Sequence, residues 1–250
     1  MTRISLCLSR AMALALGSAL LGLFSSVASA ASISYGNFGP VPPGVTFLNV
    51  TESSTTDPVP LYGPPSPFAT GLDFDPMNFG AAGVAGAGDV TNGQLNFTVM
   101  APVVGAINLF EAGDYSLVGI GTAATQTFAG AILRASVTQI NGVNVAPIVL
   151  APSNASVAFN LVANPGVVNP WSLGTSVNVA GQMASLGLGN ATKVDVVIDN
   201  QLIAISEASS AAVIDKKEFI VDVEIPEPSA LALAGAALCG LGMSQSRRRG

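Results

Sequence analysis

Hydrophobic and polar residues alternate with a period of two along most of the chain between residues 31 and 225. The clearest segments are QLNFTVM (94–100), KVDVVID (193–199) and KEFIVDVEI (217–225), in which apolar residues occupy every second position. Such alternation predicts β-strands with one buried face. No segment in this region shows the 3.6-residue period of a capped amphipathic helix, although EASSAAVIDKKEF (207–219) is compatible with a single helical turn.

Turn-forming residues separate these segments. Asn92-Gly93 and Asn141-Gly142 predict two-residue hairpins, because both residues of an Asn-Gly pair accept positive φ. Gly113-Asp114 and Asn200 predict two further turns, which would split the surrounding apolar runs into separate strands. Half of the 16 prolines lie within residues 39–68, which predicts loops and edge strands there and excludes a helix.

These patterns predict an all-β domain over residues 31–225. Many short strands with one apolar face favour an antiparallel β-sandwich, jelly-roll-like, with about 9 to 13 strands. A one-sheet β-solenoid is the alternative, but the chain lacks the fixed-length repeat that a solenoid requires.

The N-terminal residues 1–30 have the layout of a secretory signal peptide. Arg3 and Arg10 precede the uncharged run AMALALGSALLGLF, and the small residues Ala28 and Ala30 follow in an A-x-A arrangement. We expect cleavage after Ala30. A permanent N-terminal membrane helix is the alternative, and the short apolar run argues against it.

Charge and composition exclude several classes of function. Fifteen acidic and four basic residues lie between Ala31 and Pro228, a formal charge of −11, which argues against nucleic acid or anionic lipid as a partner. The chain has no histidine, and its two cysteines, Cys7 and Cys239, lie in the terminal segments. A Ser-His-Asp or Cys-His nucleophile and a His- or Cys-ligated metal are therefore excluded from the central domain.

The C-terminal residues 226–250 combine three unlike elements. Pro226, Glu227 and Pro228 form an extended segment that ends strand pairing. An uncharged stretch at 229–246 follows, long enough for a helix of about 27 Å against a hydrocarbon core of about 30 Å. The cations Arg247, Arg248 and Arg249 then favour a cytoplasmic end, with the β-domain on the other side.

This tail resembles the PEP-CTERM protein-sorting signal of Gram-negative and related bacteria. The resemblance covers about 25 residues and extends to the Pro-Glu-Pro motif, the apolar segment and the terminal arginines, although Ser244, Gln245 and Ser246 interrupt the last junction. It implies that an exosortase, a membrane cysteine transpeptidase, recognises the tail and releases or transfers the protein to the cell surface or an extracellular polymer. An ordinary single-pass anchor is the alternative.

The β-domain itself carries few candidate sites. Asp73 and Asp75 in GLDFDP, together with Asp89, are candidate ligands for Ca²⁺, with ordinary solvated loop carboxylates as the alternative. A sugar-stacking platform requires aromatic residues, and the candidates are Tyr35, Tyr62, Tyr115 and Trp171. Glu111 and Asp114 are the nearest carboxylate pair in sequence, but we interpret them as turn residues beside Gly113.

Three functional hypotheses follow. The first is a non-enzymatic surface or matrix protein that has no required cofactor, is exported, and is held by its C-terminal helix until an exosortase processes it. The second is a carbohydrate-binding module for extracellular polysaccharide. The third is a carboxylate-based hydrolase, which requires two carboxylates in one cleft. An exposed strip of aromatic rings would favour the second hypothesis over the first.

Overall fold

A computed structural model describes residues 31–42 and 44–226, which form thirteen strands and one short helix. The first seven strands are β1 (Ala31–Val41), β2 (Val45–Ser54), β3 (Ser66–Phe68), β4 (Gly71–Phe74), β5 (Gly80–Val84), β6 (Gly88–Met100) and β7 (Ala106–Ile120). The remaining elements are β8 (Gln126–Ile140), β9 (Val143–Val149), β10 (Ser153–Asn160), β11 (Gly166–Asn178), α1 (Val179–Ser185), β12 (Ala191–Ile205) and β13 (Ser209–Glu224).

The strands form two antiparallel sheets that pack face to face. The seven-stranded sheet has the order β1-β2-β6-β12-β8-β10, and β9 also pairs with β8. The six-stranded sheet has the order β11-β7-β13-β4-β3, and β5 also pairs with β13. The predicted antiparallel β-sandwich is therefore confirmed, and the β-solenoid alternative is wrong.

The core lies between the sheets and follows the predicted alternation. Leu95, Phe97 and Val99 of β6 are buried, as are Val194, Val196 and Ile198 of β12 and Phe219, Val221 and Val223 of β13. The predicted hairpin at Asn141-Gly142 is also confirmed, because both residues have positive φ and Ile140 pairs with Val143 across the turn. Period-two patterning thus located the strands and their inward faces.

Three predicted turns are wrong, because each lies inside a long strand. Asn92-Gly93 lies within β6, Gly113-Asp114 within β7 and Asn200 within β12. Each strand is paired on both sides, so ladder hydrogen bonds override the local turn preference. Gly93 serves close packing instead, because a Cβ there would lie 2.8 Å from the Phe79 ring.

The segment 207–219, which is compatible in sequence with a single helical turn, forms part of β13 instead over most of its length. The one helix among the described residues is α1, and its sequence shows no 3.6-residue hydrophobic period. The Asn178 side chain caps it by accepting a hydrogen bond from the Gly181 N–H at 2.7 Å.

The proline-rich region matches its prediction in part. Residues 55–65 form a loop, and β1 and β3 are edge strands. However, β2 pairs with both β1 and β6 and is therefore an interior strand. Its residues from Val45 to Ser54 contain no proline, so every N–H there remains available to the sheet.

The predicted targeting elements lie outside the described residues. This applies to the signal cleavage site at Ala28 and Ala30, to Glu227 and Pro228, to the uncharged segment 229–246 and to the terminal arginines. Within residues 31–42 and 44–226, we find no helix that is both long and apolar enough to cross a membrane.

Candidate functional site

A groove of about 550 Å³ lies on the outward face of the seven-stranded sheet. Residues from five neighbouring strands, β2, β6, β12, β8 and β10, line it. Its volume falls within the range of about 300 to 1,000 Å³ that is typical of ligand sites. The groove is therefore the candidate functional site of the domain.

Strand register arranges the groove side chains in rows that cross the sheet. One row follows the pairs Ser53–Gln94, Gln94–Asp199, Asp199–Ile132 and Ile132–Asn154. The next row, two residues along each strand, contains Asn92, Gln201, Gly130 and Ser156. Both rows consist mainly of amide, hydroxyl and carboxylate groups, so they suit a ligand with many hydrogen-bonding groups.

A third row, formed by Val90, Ile203, Phe128 and Ala158, is apolar and borders the two polar rows. Phe128 is half-buried, and its ring lies over Gly130: a Cβ at Gly130 would be 2.7 Å from the ring. The absence of a side chain at Gly130 therefore allows the aromatic ring to cover this part of the groove.

The charges in the groove neutralise one another. Asp199 forms an ion pair with Arg134 and accepts a hydrogen bond from Gln94 Nε2 at 2.7 Å. In the neighbouring row, Gln201 Nε2 donates to Asn92 Oδ1 at 2.9 Å. The centre of the groove is therefore preorganised and carries little net charge.

Directly beneath the groove, the inward face of the same sheet takes part in a buried polar network. Asn200 lies between Asp199 and Gln201 but points into the sandwich, where its Nδ2 donates to Glu111 Oε1 at 2.5 Å and its Oδ1 accepts from Tyr62 Oη at 2.8 Å. Glu111 forms an ion pair of 2.6 Å with Lys216, and both side chains are almost completely buried. This network joins the two sheets.

The rest of the buried network is centred on Glu52. Its carboxylate accepts hydrogen bonds from the N–H of Leu61 at 2.7 Å, the N–H of Tyr62 at 3.1 Å and the hydroxyl of Tyr35 at 2.8 Å. Glu52 thereby fixes the loop that follows β2 against the core.

Burial shifts several pKa values in this region. Desolvation lowers the pKa of Lys216, and the adjacent Glu111 carboxylate partly offsets this shift. Burial, together with the negative charges of Glu111 and Glu52, raises the pKa of Tyr62 well above its ordinary value. Burial and the hydrogen bond to Glu52 also raise the pKa of Tyr35. The phenols are therefore neutral groups in the folded protein.

The structure does not bring together the three aspartates predicted to bind Ca²⁺. Asp73 and Asp75 border a shallow cavity of about 420 Å³ on the outer face of the six-stranded sheet. Asp89 lies on β6 of the other sheet, where its carboxylate accepts the N–H groups of Ala82 and Val90, each at 2.9 Å. Across 31–42 and 44–226, no group of three acidic residues suits a metal ion.

The four aromatic residues considered for sugar stacking do not form an exposed platform. Tyr62, Tyr115 and Trp171 are buried, and Tyr35 is half-buried. Tyr115 stacks on Phe159 with a centroid distance of 3.9 Å, and Trp171 Nε1 donates to the carbonyl of Asp215 at 3.1 Å. These four residues are therefore part of the packing between and along the sheets.

Glu111 and Asp114 are strand residues, so their interpretation as turn residues is wrong. Glu111 faces the core, whereas Asp114 lies at the outer face and pairs with Lys217. Sequence reasoning also missed Glu52, Asn200 and Lys216. A continuous period-two pattern through residues 107–117 would have placed Glu111 on the same face as Ile107, Leu109 and Leu117.

Comparisons with known proteins add the following. No protein-family model matches the chain, and no curated protein matches its sequence. Solved structures with some similarity include TmCBM61 in complex with β-1,4-galactotriose (12% identity, 63% of this chain and 73% of that one, TM-score 0.22). A family 12 glycoside hydrolase has 12% identity over 78% of this chain and 100% of that one, with a TM-score of 0.22. Lectin I-B4 from Griffonia simplicifolia has 10% identity over 78% of this chain and 100% of that one, with a TM-score of 0.19. At these TM-scores the likeness carries no functional argument.

Proposed function

We propose that this chain is an exported, non-enzymatic surface protein whose groove binds an uncharged extracellular polysaccharide. The observation that supports this proposal is the composition of the groove: two polar rows, a bordering apolar row and a neutralised charge pair. Sugars combine apolar ring faces with a rim of hydroxyl groups, so they match such a surface. The formal charge of −11 over residues 31–228 disfavours an anionic polymer.

The number of carboxylates in the described groove favours binding over hydrolysis. Among the described residues that line the groove, Asp199 is the one carboxylate. Glycoside hydrolysis requires two carboxyl groups that flank the bond to be cleaved. Asp199 is also engaged by Arg134, so the groove lacks the acid and base pair that the hydrolase hypothesis requires.

Affinity electrophoresis tests the binding proposal. We expect native gels containing β-1,4-galactan, hydroxyethylcellulose or β-mannan to retard the chain with at least one of these neutral polymers, and polygalacturonate not to retard it. Gly130→Ala should weaken the retardation, because the new Cβ displaces the Phe128 ring. Gly174→Ala on β11 is the matched control, because its new Cβ would lie 3.4 Å from the nearest atom. Equal migration with and without every neutral polymer would contradict the proposal.

Export and tail processing form the second part of the proposed function. Ile225 still packs against the core and Pro226 lies close to Gly105, so the Pro-Glu-Pro motif begins where the sandwich ends. In the sequence, the motif thus follows the sandwich directly and precedes the uncharged segment 229–246. This order supports a role of the tail as a temporary membrane anchor that an exosortase removes.

Mass spectrometry of the C-terminus tests the tail. In an exosortase-bearing host, surface or secreted material should lack Arg249 and Gly250. Replacement of Pro226, Glu227 and Pro228 by alanine should preserve membrane insertion but leave an uncleaved precursor in the membrane. Surface material that mostly retains Arg249 and Gly250 would show that the tail is a simple anchor.

A further inference from the structure

The two ends of the groove carry hydrogen-bonding groups that the described protein does not use. At the β2 end, Ser53 is half-buried and its side chain makes no hydrogen bond within the described residues. At the β10 end, Asn154 and Ser156 are exposed to solvent, and their side chains make none there either. The centre differs, because Asn92–Gln201 and Gln94–Asp199 are already paired. A ligand that satisfies both ends must therefore span the whole width of the groove.

The width of the groove gives the length of such a ligand. Ser53 and Asn154 lie on strands separated by four inter-strand steps, through Gln94, Asp199 and Ile132. At about 4.8 Å per step this is about 19 Å, close to the length of about four sugar rings in an extended chain. A ligand that contacts both Ser53 and Asn154 therefore lies across the strands and not along them.

The β10 half of the groove also contains a place for one sugar ring. The Phe128 ring covers Gly130, and the register places Gln201 on one side of Gly130 and Ser156 on the other. A sugar ring stacked on Phe128 would direct its hydroxyl groups towards these two polar side chains. Stacking on the ring would also bury apolar surface of the sugar.

We propose that the groove binds about four consecutive residues of a linear neutral glycan that crosses the strands, with one ring on Phe128 and the other end of the chain at Ser53. This inference rests on the proposed function and adds the length, direction and anchoring point of the ligand. Phe128 binds one sugar ring of both short and long ligands, whereas only a ligand of sufficient length also contacts Ser53.

Isothermal titration calorimetry with oligosaccharides of defined length tests this inference. The full chain, kept in a detergent without a sugar headgroup, is titrated with β-1,4-linked galactose, glucose and mannose oligomers of two to six residues. We expect the affinity to rise about tenfold or more from two to four residues as further hydrogen bonds form, and to change less than about twofold from four to six. A plateau at two residues, or a continued rise through six, would overturn the inferred length.

Two substitutions separate the ends of the groove. Phe128→Ala should weaken binding of both short and long oligomers about tenfold, whereas Phe110→Ala, an exposed phenylalanine on the other sheet, should have no effect. Ser53→Ala should weaken only oligomers of four or more residues. If Ser53→Ala affects disaccharides and tetrasaccharides equally, the crossing direction is wrong. Failure of the unmodified chain to bind any neutral polymer in the gel assay would instead overturn the proposed function.

Discussion

The two faces of β12 carry similar chemistry in opposite environments. Asn200 points into the sandwich, where it is bonded to Glu111 and Tyr62, whereas Asp199 and Gln201 point outwards into the groove. Each face also has an ion pair nearby. The side chains of Lys216 and Glu111 are 0% and 1% exposed, whereas those of Arg134 and Asp199 are 49% and 32% exposed.

This difference separates a structural role from a binding role. Inside, removal of one partner leaves a polar or charged group without water, so each interaction is costly to break. Outside, water replaces any lost partner, so the same groups add little stability and remain able to exchange water for a ligand. We therefore expect substitutions on the inner face to change stability and substitutions on the outer face to change binding.

The largest effect is expected at the buried ion pair. Glu111→Ala leaves the Lys216 ammonium buried without its 2.6 Å partner and should lower the free energy of unfolding by about 3–5 kcal/mol. Urea denaturation of the purified protein measures this loss. The double variant Glu111→Leu with Lys216→Met should be clearly more stable than Glu111→Ala. Equal loss in both variants would indicate that the uncompensated charge is not the cause.

A smaller effect is expected at Asn200, whose outward neighbour supplies a matched comparison. Asn200→Leu removes the partner of Tyr62 Oη and one partner of Glu111 and should cost about 1–3 kcal/mol. Gln201→Leu, one residue further along β12, should change stability by less than about 0.5 kcal/mol. Equal costs at the two positions would remove the distinction between the faces.

High pH should destabilise the inner network. The pKa values of Tyr62 and Tyr35 are raised in the folded state, whereas an unfolded tyrosine ionises near 10.0. Their contribution to stability is therefore complete below pH 10 and is lost as the pH rises further, because the unfolded state then releases protons that the folded state retains. Urea midpoints measured from pH 8 to 11 should fall above about pH 10. The fall should be smaller in Tyr35→Phe than in the unmodified protein. An equally large fall in that variant would show that Tyr35 does not contribute to the pH dependence.

The smallest effect is expected at the exposed ion pair. Arg134→Ala should lower the free energy of unfolding by less than about 1 kcal/mol, and 0.5 M salt should reduce even that difference. The same urea experiment at low and high salt measures it. A loss as large as that of Glu111→Ala would mean that exposure does not separate the two pairs.

The sequence was sufficient to predict the sandwich and most inward-facing apolar residues, because a half-buried strand imposes a period of two. The Asn141-Gly142 hairpin was predictable for a local reason, the tolerance of both residues for positive φ. In contrast, Asn92-Gly93 carries the same local signal but lies within β6. Pairing with β2 and β12 determines that conformation, and the residues of these two strands are far from Asn92-Gly93 in the sequence.

The candidate site was less predictable, because it depends on register between strands. Ser53, Gln94, Asp199 and Asn154 are far apart in sequence and become one row only through four antiparallel pairings. Lys216 was hidden by a β-bulge at Lys216–Glu218, where the inward positions change from even-numbered to odd-numbered residues. An interruption of this kind makes a core lysine resemble a surface residue in the sequence.

The most direct test of the account measures polymer retention and stability on the same variants. Gly130→Ala should be retarded more weakly than the unmodified protein by the same neutral polymer, while its urea midpoint stays unchanged. Asn200→Leu should lose stability but remain retarded under conditions in which it is folded. If Gly130→Ala is retarded as strongly as the unmodified protein, the groove is not the binding site. If both variants instead lose stability and retention together, the separation between a structural inner face and a binding outer face is wrong.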